Sequence, residues 1–356
     1  MEQVHTLLAL VEHPAFCVAD GKVLAVNAAA QKLFITEGTE LSGMLPQDQA
    51  VTYPPKGGYL YLTLQLSDTP FGASVFYVED KLLFILEDEN EDARLQALAL
   101  ASQQLRQPLS GILSVMESLS ENDSLNRDPR LQDQLAQMNQ RLFQMLRMVT
   151  NMSDVYRYRT DGIAQGQTVN ISGLFYQLLE SAQDLTCQAG RKLCFTQPRQ
   201  AIFSLAERNM LERAFYNLLS NAIKFSPEGS TITANLTQKG TTIYLTLEHP
   251  MQGLPAELRS DIFSRYTRQP GIEDGRFGLG LGLSLVRTAA LAHGGTLLME
   301  QPNSESLKVT MAFPVRQSSQ TNVRAHILCV DHAGELPHGL LELADVLHAD
   351  AFYDIY

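Results

Sequence analysis

Short apolar runs dominate the first 90 residues and predict a small sheet with one helix. The runs Ala15–Ala19 and Val23–Val26 flank Asp20-Gly21, a dipeptide typical of hairpin turns. Asn27–Phe34 has the pattern of a helix, and further strands are predicted at residues 59–64, 73–78 and 81–86. Such a domain either packs against the rest of the chain or holds a small ligand over a curved sheet.

Two long amphipathic helices are predicted between residues 91 and 162. Apolar residues recur there in alternating steps of three and four, which places them on one helix face as a heptad seam. The first seam is Leu95, Leu98, Ser102, Leu105, Leu109, Ile112, Met116 and Leu119, and the second is Leu131, Leu135, Met138, Leu142, Met145, Val149, Met152 and Tyr156. The two helices are therefore predicted to form an antiparallel hairpin. Two unbroken seams favour a homodimer through residues 91–160, with a four-helix bundle, over packing within one chain.

Residues 165–316 alternate helical and strand patterns, which predicts an α/β sandwich. Helices are expected at 171–188, 207–225 and 283–292, with strands at 192–196, 201–205, 231–237 and 242–247 and after residue 295. Residues 317–356 contain a predicted strand (325–330) and helix (340–347), too little for a separate domain, so this tail is expected to dock elsewhere. The fold class is therefore α+β and multidomain, with boundaries at 1–90, 91–162, 165–316 and 317–356.

The amino-acid composition argues against several classes of protein. The 356 residues include 27 Lys and Arg against 39 Asp and Glu, a net charge of −12, and 45% are apolar. This apolar fraction predicts folded domains, and the acidic balance argues against binding nucleic acid or anionic membranes. No apolar run approaches the ~18 residues of a membrane span, and the start lacks a basic secretory signal. The four cysteines form no C-x-x-C pair. A cytoplasmic protein is expected.

The predicted helix 207–225 carries polar residues suited to bind a nucleotide. Asn217 and Asn221 are four residues apart and Lys224 follows after three, so all three lie on one side of the helix. Two carboxamides offer oxygen atoms to a metal ion, and the ammonium group offers charge to a phosphate. For this helix alone, a solvated polar face is the favoured alternative.

Alternating glycines lead into the next predicted helix at Gly278-Leu279-Gly280-Leu281-Gly282. Glycines let backbone N–H groups approach a phosphate, and a helix N-terminus adds favourable partial charge, although glycines also serve plain turns. Four arginines precede this run in an otherwise acidic protein: Arg259, Arg265, Arg268 and Arg276.

The order and spacing of these motifs resemble a known family. Asn217 to Ser226, then Ile262 to Tyr266, the glycine run and His293-Gly294-Gly295 together resemble the ATP-binding domain of sensor histidine kinases, in the GHKL superfamily with gyrase and MutL. The stretch Ser102 to Leu109 resembles the family's dimerisation box, S-H-E-L-R-T-P-L. The strand–Asp-Gly–strand pattern of residues 1–90 resembles PAS sensor domains.

This resemblance implies a set of roles. Asn221 would coordinate magnesium, Asn217 and Lys224 would contact phosphate, Phe225 would pack near adenine, and residues 264–282 would cover ATP. The implied ATP-binding residues are Asn217, Asn221, Lys224, Phe225, His249, Gly253, Phe263, Arg268, Gly278, Gly280 and Gly282. The implied cofactors are ATP and Mg²⁺. The implied partners are a second copy of the chain, a response regulator or partner kinase, and an unidentified small ligand at residues 1–90.

Two departures from the family pattern bear on activity. Gln103 replaces the phosphate-accepting histidine and Gln104 the adjacent acid, and no histidine occurs between His13 and His249. An imidazole is a good nucleophile near neutral pH, whereas an amide nitrogen has a delocalised lone pair and cannot stably accept phosphate. His249 stands where the family has the aspartate that binds adenine, unless a one-residue shift puts Glu248 there, and a neutral acceptor predicts weaker ATP binding. The alternative for His249 is a loop residue that touches no ligand.

Two functions remain after these observations. The chain is either a sensor histidine kinase relative that binds Mg-ATP without the usual autophosphorylation, acting on an acceptor in trans, or an adaptor pseudokinase that binds a regulator or a true kinase. A weaker third hypothesis gives Gln107 a role in orienting water against a regulator's aspartyl phosphate, although an ordinary exposed residue is favoured there.

Overall fold

The computed structural model describes residues 8–251, 281–316 and 338–355, with short gaps inside these ranges, the longest at 88–90, 121–127 and 164–166. Its elements confirm most of the predicted helices and strands. In chain order they are β1 (Ala15–Ala19), β2 (Lys22–Val26), α1 (Ala28–Lys32), β3 (Tyr59–Leu66), β4 (Thr69–Val78), β5 (Lys81–Leu86), α2 (Glu91–Ser120), α3 (Pro129–Asp161), β6 (Gln167–Asn170), α4 (Ile171–Gln188), β7 (Lys192–Thr196), β8 (Phe203–Ala206), α5 (Arg208–Phe225), β9 (Thr231–Lys239), β10 (Thr242–Pro250), α6 (Leu281–Ala292), β11 (Thr296–Asn303), β12 (Ser306–Pro314) and α7 (His338–Leu343).

The described part of the N-terminal region contains an antiparallel sheet and the short helix α1. Asn27 caps α1, because its Oδ1 atom accepts hydrogen bonds from the backbone N–H of Ala30 (2.9 Å) and of Ala15 (3.0 Å). The helix is shorter than predicted, since Phe34 adopts a left-handed backbone (φ 61°) that ends it.

Helices α2 and α3 pack along each other, and each predicted seam divides into a buried and an exposed half. On α2, Leu95, Ser102, Leu109 and Met116 are buried, whereas Leu105, Ile112 and Leu119 are 47%, 44% and 37% exposed. On α3, Leu142, Val149 and Met152 are buried, whereas Met138 and Met145 are about half exposed. The heptad pattern predicted a single apolar stripe on each helix, and the chain itself covers only part of each stripe.

One ten-stranded sheet runs through the N-terminal region and the α/β region, in the order β2-β1-β5-β4-β3-β11-β12-β10-β9-β7. The join is the antiparallel pairing of β3 with β11, in which Tyr61 lies opposite Leu297. The guanidinium group of Arg287, on α6, lies 4.0 Å from the Tyr61 ring and covers this join. We predicted separate sheets, because no sequence pattern links strands that lie more than 230 residues apart.

The C-terminal segment docks against the α/β region, as expected from its length. Leu341, Leu343, Leu347 and Phe352 are at most 4% exposed and belong to the main hydrophobic core. The predicted helix 340–347 is shorter, at His338–Leu343, and the predicted strand 325–330 lies outside the described residues. Among the helices that the structure describes, none combines the length and apolarity needed to cross a bilayer.

Candidate functional site

Helix α5 holds Asn217 at the centre of the candidate site. Asn217 is 1% exposed, and both ends of its carboxamide are engaged: Nδ2 donates to the Arg213 carbonyl (2.8 Å), and Oδ1 accepts from Arg147 Nη2 (3.2 Å). Arg147 lies on α3, in the helical pair. The expected solvated polar face is therefore absent at Asn217, because another helix covers it.

The N-terminal part of α6 closes on Asn217 from another direction. A methyl group added at Gly282 would lie 2.8 Å from Asn217 Oδ1, closer than such contacts normally come. A glycine is needed here for close approach, since any side chain would displace the carboxamide. The structure thus brings the Asn217 carboxamide together with Gly282, the last residue of the predicted glycine run.

Lys224 and Asn221 lie on the same side of α5 as Asn217, nearer its C-terminal end. Lys224 Nζ is 3.1 Å from Oδ2 of Asp345, which belongs to the C-terminal segment. Asn221 is half-buried, and Phe225 is 41% exposed at the end of the helix. Among these four residues, Phe225 is therefore the most exposed and Asn217 the least.

His249 lies at the far end of strand β10 and is 4% exposed. Its Nδ1 atom is 3.1 Å from the Pro250 carbonyl oxygen and 3.1 Å from Ser226 Oγ. The Ser226 hydroxyl donates its proton to the Ala222 carbonyl. Both neighbours of Nδ1 therefore act as acceptors, so Nδ1 carries the proton and Nε2 is left as an acceptor. Burial lowers the pKa of His249 below its usual value, which keeps the ring neutral at pH 7.

His293 anchors the start of α5. Its Nε2 atom accepts from the backbone N–H of Glu207 (3.1 Å), the residue that precedes the helix, and Nδ1 donates to the Ala289 carbonyl (2.8 Å). Burial lowers the pKa of His293 to about 4. The His-Gly-Gly motif therefore ties the ends of α5 and α6 together, a structural role that spacing alone did not identify.

Gln103 and Gln104 are exposed on α2, and the Ser102 side chain next to them is buried. Gly253, Phe263, Arg268, Gly278 and Gly280 lie outside the described residues.

Sequence reasoning missed a cluster of charged side chains next to Asn217. Arg213 is 2.7 Å from Glu342 (Nη1 to Oε1) and 2.8 Å from Asp154 (Nε to Oδ2), and Arg147 is 2.7 Å from Asp345 (Nη1 to Oδ2). Among the described residues, four cations and three anions are linked here: Arg147, Arg157, Arg213, Lys224, Asp154, Glu342 and Asp345. The one available signal was that Arg213 precedes Asn217 by four residues and so shares its helix face.

Part of the chain is similar to known proteins. Residues 206–317 match the family described as histidine kinase-, DNA gyrase B- and HSP90-like ATPase. The chain is 27% identical over 215 residues to the sensor protein KdpD of Clostridium acetobutylicum, covering 60% of this chain and 24% of KdpD. It is 23% identical over 255 residues to the sensor histidine kinase WalK of Bacillus subtilis, covering 68% of this chain and 41% of WalK.

A solved structure shares the fold. Full-length ShkA in complex with AMPPNP superposes with a TM-score of 0.51 at 20% identity, covering 63% of this chain and 47% of that one. The chain thus spans less than half the length of these three proteins. Residues 206–317 therefore match the ATPase domain that histidine kinases share with DNA gyrase B and HSP90, and the chain is similar to sensor histidine kinases over about two thirds of its length.

Proposed function

We propose that the chain binds Mg-ATP and acts in two-component signalling without autophosphorylation on its own helical hairpin. The observation that carries this proposal is the close packing of Gly282 against Asn217 inside the matched ATPase domain, with Asn221 and Lys224 on the same helix face. Asn221 and Lys224 follow Asn217 along the same helix face, and two carboxamides, a cation and a glycine-rich segment together are suited to a triphosphate and its metal ion.

The side chains fit magnesium and adenine. The Asn221 carboxamide offers a hard oxygen ligand, and Mg²⁺ takes its remaining ligands from phosphates and water. We expect the exposed ring of Phe225 to pack against the base, and we expect Nε2 of His249, which carries no proton, to accept a hydrogen bond from the adenine amino group. A neutral acceptor in place of a carboxylate weakens this contact by about 1.5–3 kcal/mol, roughly ten- to a hundredfold in affinity.

Calorimetric titration of the whole chain with Mg-ATP tests the site. We expect a micromolar to millimolar dissociation constant that depends on magnesium, and we expect Asn221→Ala to weaken it at least tenfold. The matched control is Asn209→Ala, about 18 Å away along the same helix, which leaves the affinity unchanged. Absence of binding at millimolar Mg-ATP would refute the nucleotide site.

The exposed Gln103 side chain lacks the chemistry to hold a phosphoryl group, since its amide nitrogen is not nucleophilic. Wild-type protein incubated with radiolabelled ATP is expected to gain no acid-labile phosphate. The double variant Gln103→His, Gln104→Glu regains label if the ATP site is competent. Label on residues 91–160 of the wild type would overturn this assignment.

A homodimer through residues 91–160 is part of this proposal. The exposed half-seams, with Leu105, Ile112 and Leu119 on α2 and Met138 and Met145 on α3, are spaced for a second hairpin. We expect a dimer in analytical ultracentrifugation, and we expect Ile112→Lys to shift it towards monomer. A wild-type monomer at tens of micromolar would contradict the bundle.

A second candidate is an adaptor that binds a response regulator or a partner kinase without nucleotide. It is favoured by one observation: Asn217 and Lys224 are already engaged by Arg147 and Asp345 of the same chain. The Mg-ATP titration separates the two functions, because the adaptor requires no binding. The N-terminal sheet is proposed as a PAS-like sensor whose ligand is a small molecule.

A further inference from the structure

A single carboxylate oxygen lies between two cations at the edge of the proposed nucleotide site. Oδ2 of Asp345 is 2.7 Å from Arg147 Nη1 and 3.1 Å from Lys224 Nζ. The two cationic side chains are 5% and 11% exposed, so they converge on this oxygen in a largely dry environment. Together they form a site for one anionic oxygen.

The two cations come from different parts of the chain. Lys224 is on α5, within the ATPase domain, and Arg147 is on α3 of the helical pair. The Arg147 guanidinium is held against α5, because it donates to Asn217 Oδ1 and to Ser220 Oγ, both at 3.2 Å. A guanidinium and an ammonium group on the helix face that carries Asn217 are suited to phosphate as well as to carboxylate.

Asp345 reaches this position because the C-terminal segment is docked on α3. Gln140 and Gln144 of α3 donate to the carbonyls of Leu347 (2.7 Å) and Ala344 (3.0 Å). The Asp345 side chain is 23% exposed, more than either cation. Of the three groups, the carboxylate can therefore be exchanged for a solution anion with the least rearrangement.

We propose that Asp345 holds the place of a nucleotide phosphate oxygen, so that the C-terminal segment competes with Mg-ATP for Arg147 and Lys224. The inference rests on the proposed nucleotide site and adds to it a phosphate-binding residue, Arg147, from outside the ATPase domain. A phosphate brought to Lys224 meets the like charge of Asp345, because the two anions would share the same cations. Nucleotide binding therefore requires the carboxylate to leave or to lose its charge.

The test is the variant Asp345→Asn in the full chain, which keeps the shape of the side chain and removes the competing charge. The dissociation constant for Mg-ATP is expected to fall about tenfold, whereas affinity for adenosine, which has no phosphate, stays unchanged. The matched control is Asp350→Asn, an exposed residue of the same segment, which carries the same charge change and leaves both affinities as in the wild type.

Equal Mg-ATP affinities for the wild type and Asp345→Asn would overturn the competition while leaving the nucleotide site in place. Absence of binding by both proteins would instead remove the nucleotide site and the inference with it. Hydrogen exchange on the wild type decides the matter if the variant does not fold. Exchange across residues 338–352 that becomes faster at saturating Mg-ATP supports the competition, and unchanged or slower exchange with nucleotide bound overturns it.

Discussion

Replacing Glu342 with glutamine tests whether the buried charge cluster holds the C-terminal segment in place. The Glu342 side chain is fully buried, with Oε1 2.7 Å from Arg213 Nη1 and Oε2 3.7 Å from Arg147 Nε. At an effective dielectric constant of about 20, these separations correspond to attractions of about 6 and about 4 kcal/mol. Burying the carboxylate costs several kcal/mol in lost hydration, which offsets part of this attraction.

In the variant, the largely buried cations Arg147, Arg213 and Lys224 are left with the charges of Asp154 and Asp345, and Asp154 also pairs with the more exposed Arg157. Glu342→Gln is therefore expected to lower the free energy of unfolding by about 3–5 kcal/mol, the usual penalty for breaking a buried ion pair on one side. Chemical denaturation followed by circular dichroism measures this change. The matched control is Glu305→Gln, an exposed acid that is expected to change stability by less than about 0.5 kcal/mol. Equal midpoints for the two variants would refute the view that the buried charge cluster stabilises the fold.

Two further predictions concern the His-Gly-Gly motif. Because burial lowers the pKa of His293 to about 4, while an unfolded histidine titrates near 6.5, the folded protein binds fewer protons between these values. The free energy of unfolding is therefore expected to fall by about 2.5 kcal/mol between pH 7 and pH 4.5 because of this group. The variant His293→Gln is expected to lose that part of the pH dependence when it is compared with the wild type by denaturation at both pH values. A methyl group at Gly295 would lie 2.0 Å from the Ala312 carbonyl oxygen, so Gly295→Ala is expected to destabilise by about 3 kcal/mol. The control is Gly111→Ala on helix α2, where an added methyl group meets no atom within 4 Å, and its free energy of unfolding is expected to rise by about 0.5–1 kcal/mol. Thermal denaturation compares the two variants, and equal melting temperatures would contradict the predicted clash at Gly295.

The local pattern of apolar and polar residues was sufficient to predict most helices and strands. The hairpin of β9 and β10 and the helix α5 were predicted within a few residues, because alternation and helical spacing depend on neighbours in the chain. The order of the nucleotide-binding motifs also predicted the ATPase domain, and the matched family confirms it. The roles of Asn217, Asn221 and Lys224 stay predictions.

Tertiary structure decided what each predicted surface touches. Helical spacing placed Asn217 on a polar face, but only the folded chain shows that Arg147, 70 residues earlier, covers it. The pairing of β3 with β11 and the position of Asp345 between two cations join segments far apart in sequence. The periodicity of side chains is fixed by the backbone geometry of each segment, so it can be predicted locally. Strand pairing and charge neutralisation depend on which distant segments meet when the core is buried, and the local sequence carries no pattern for that choice.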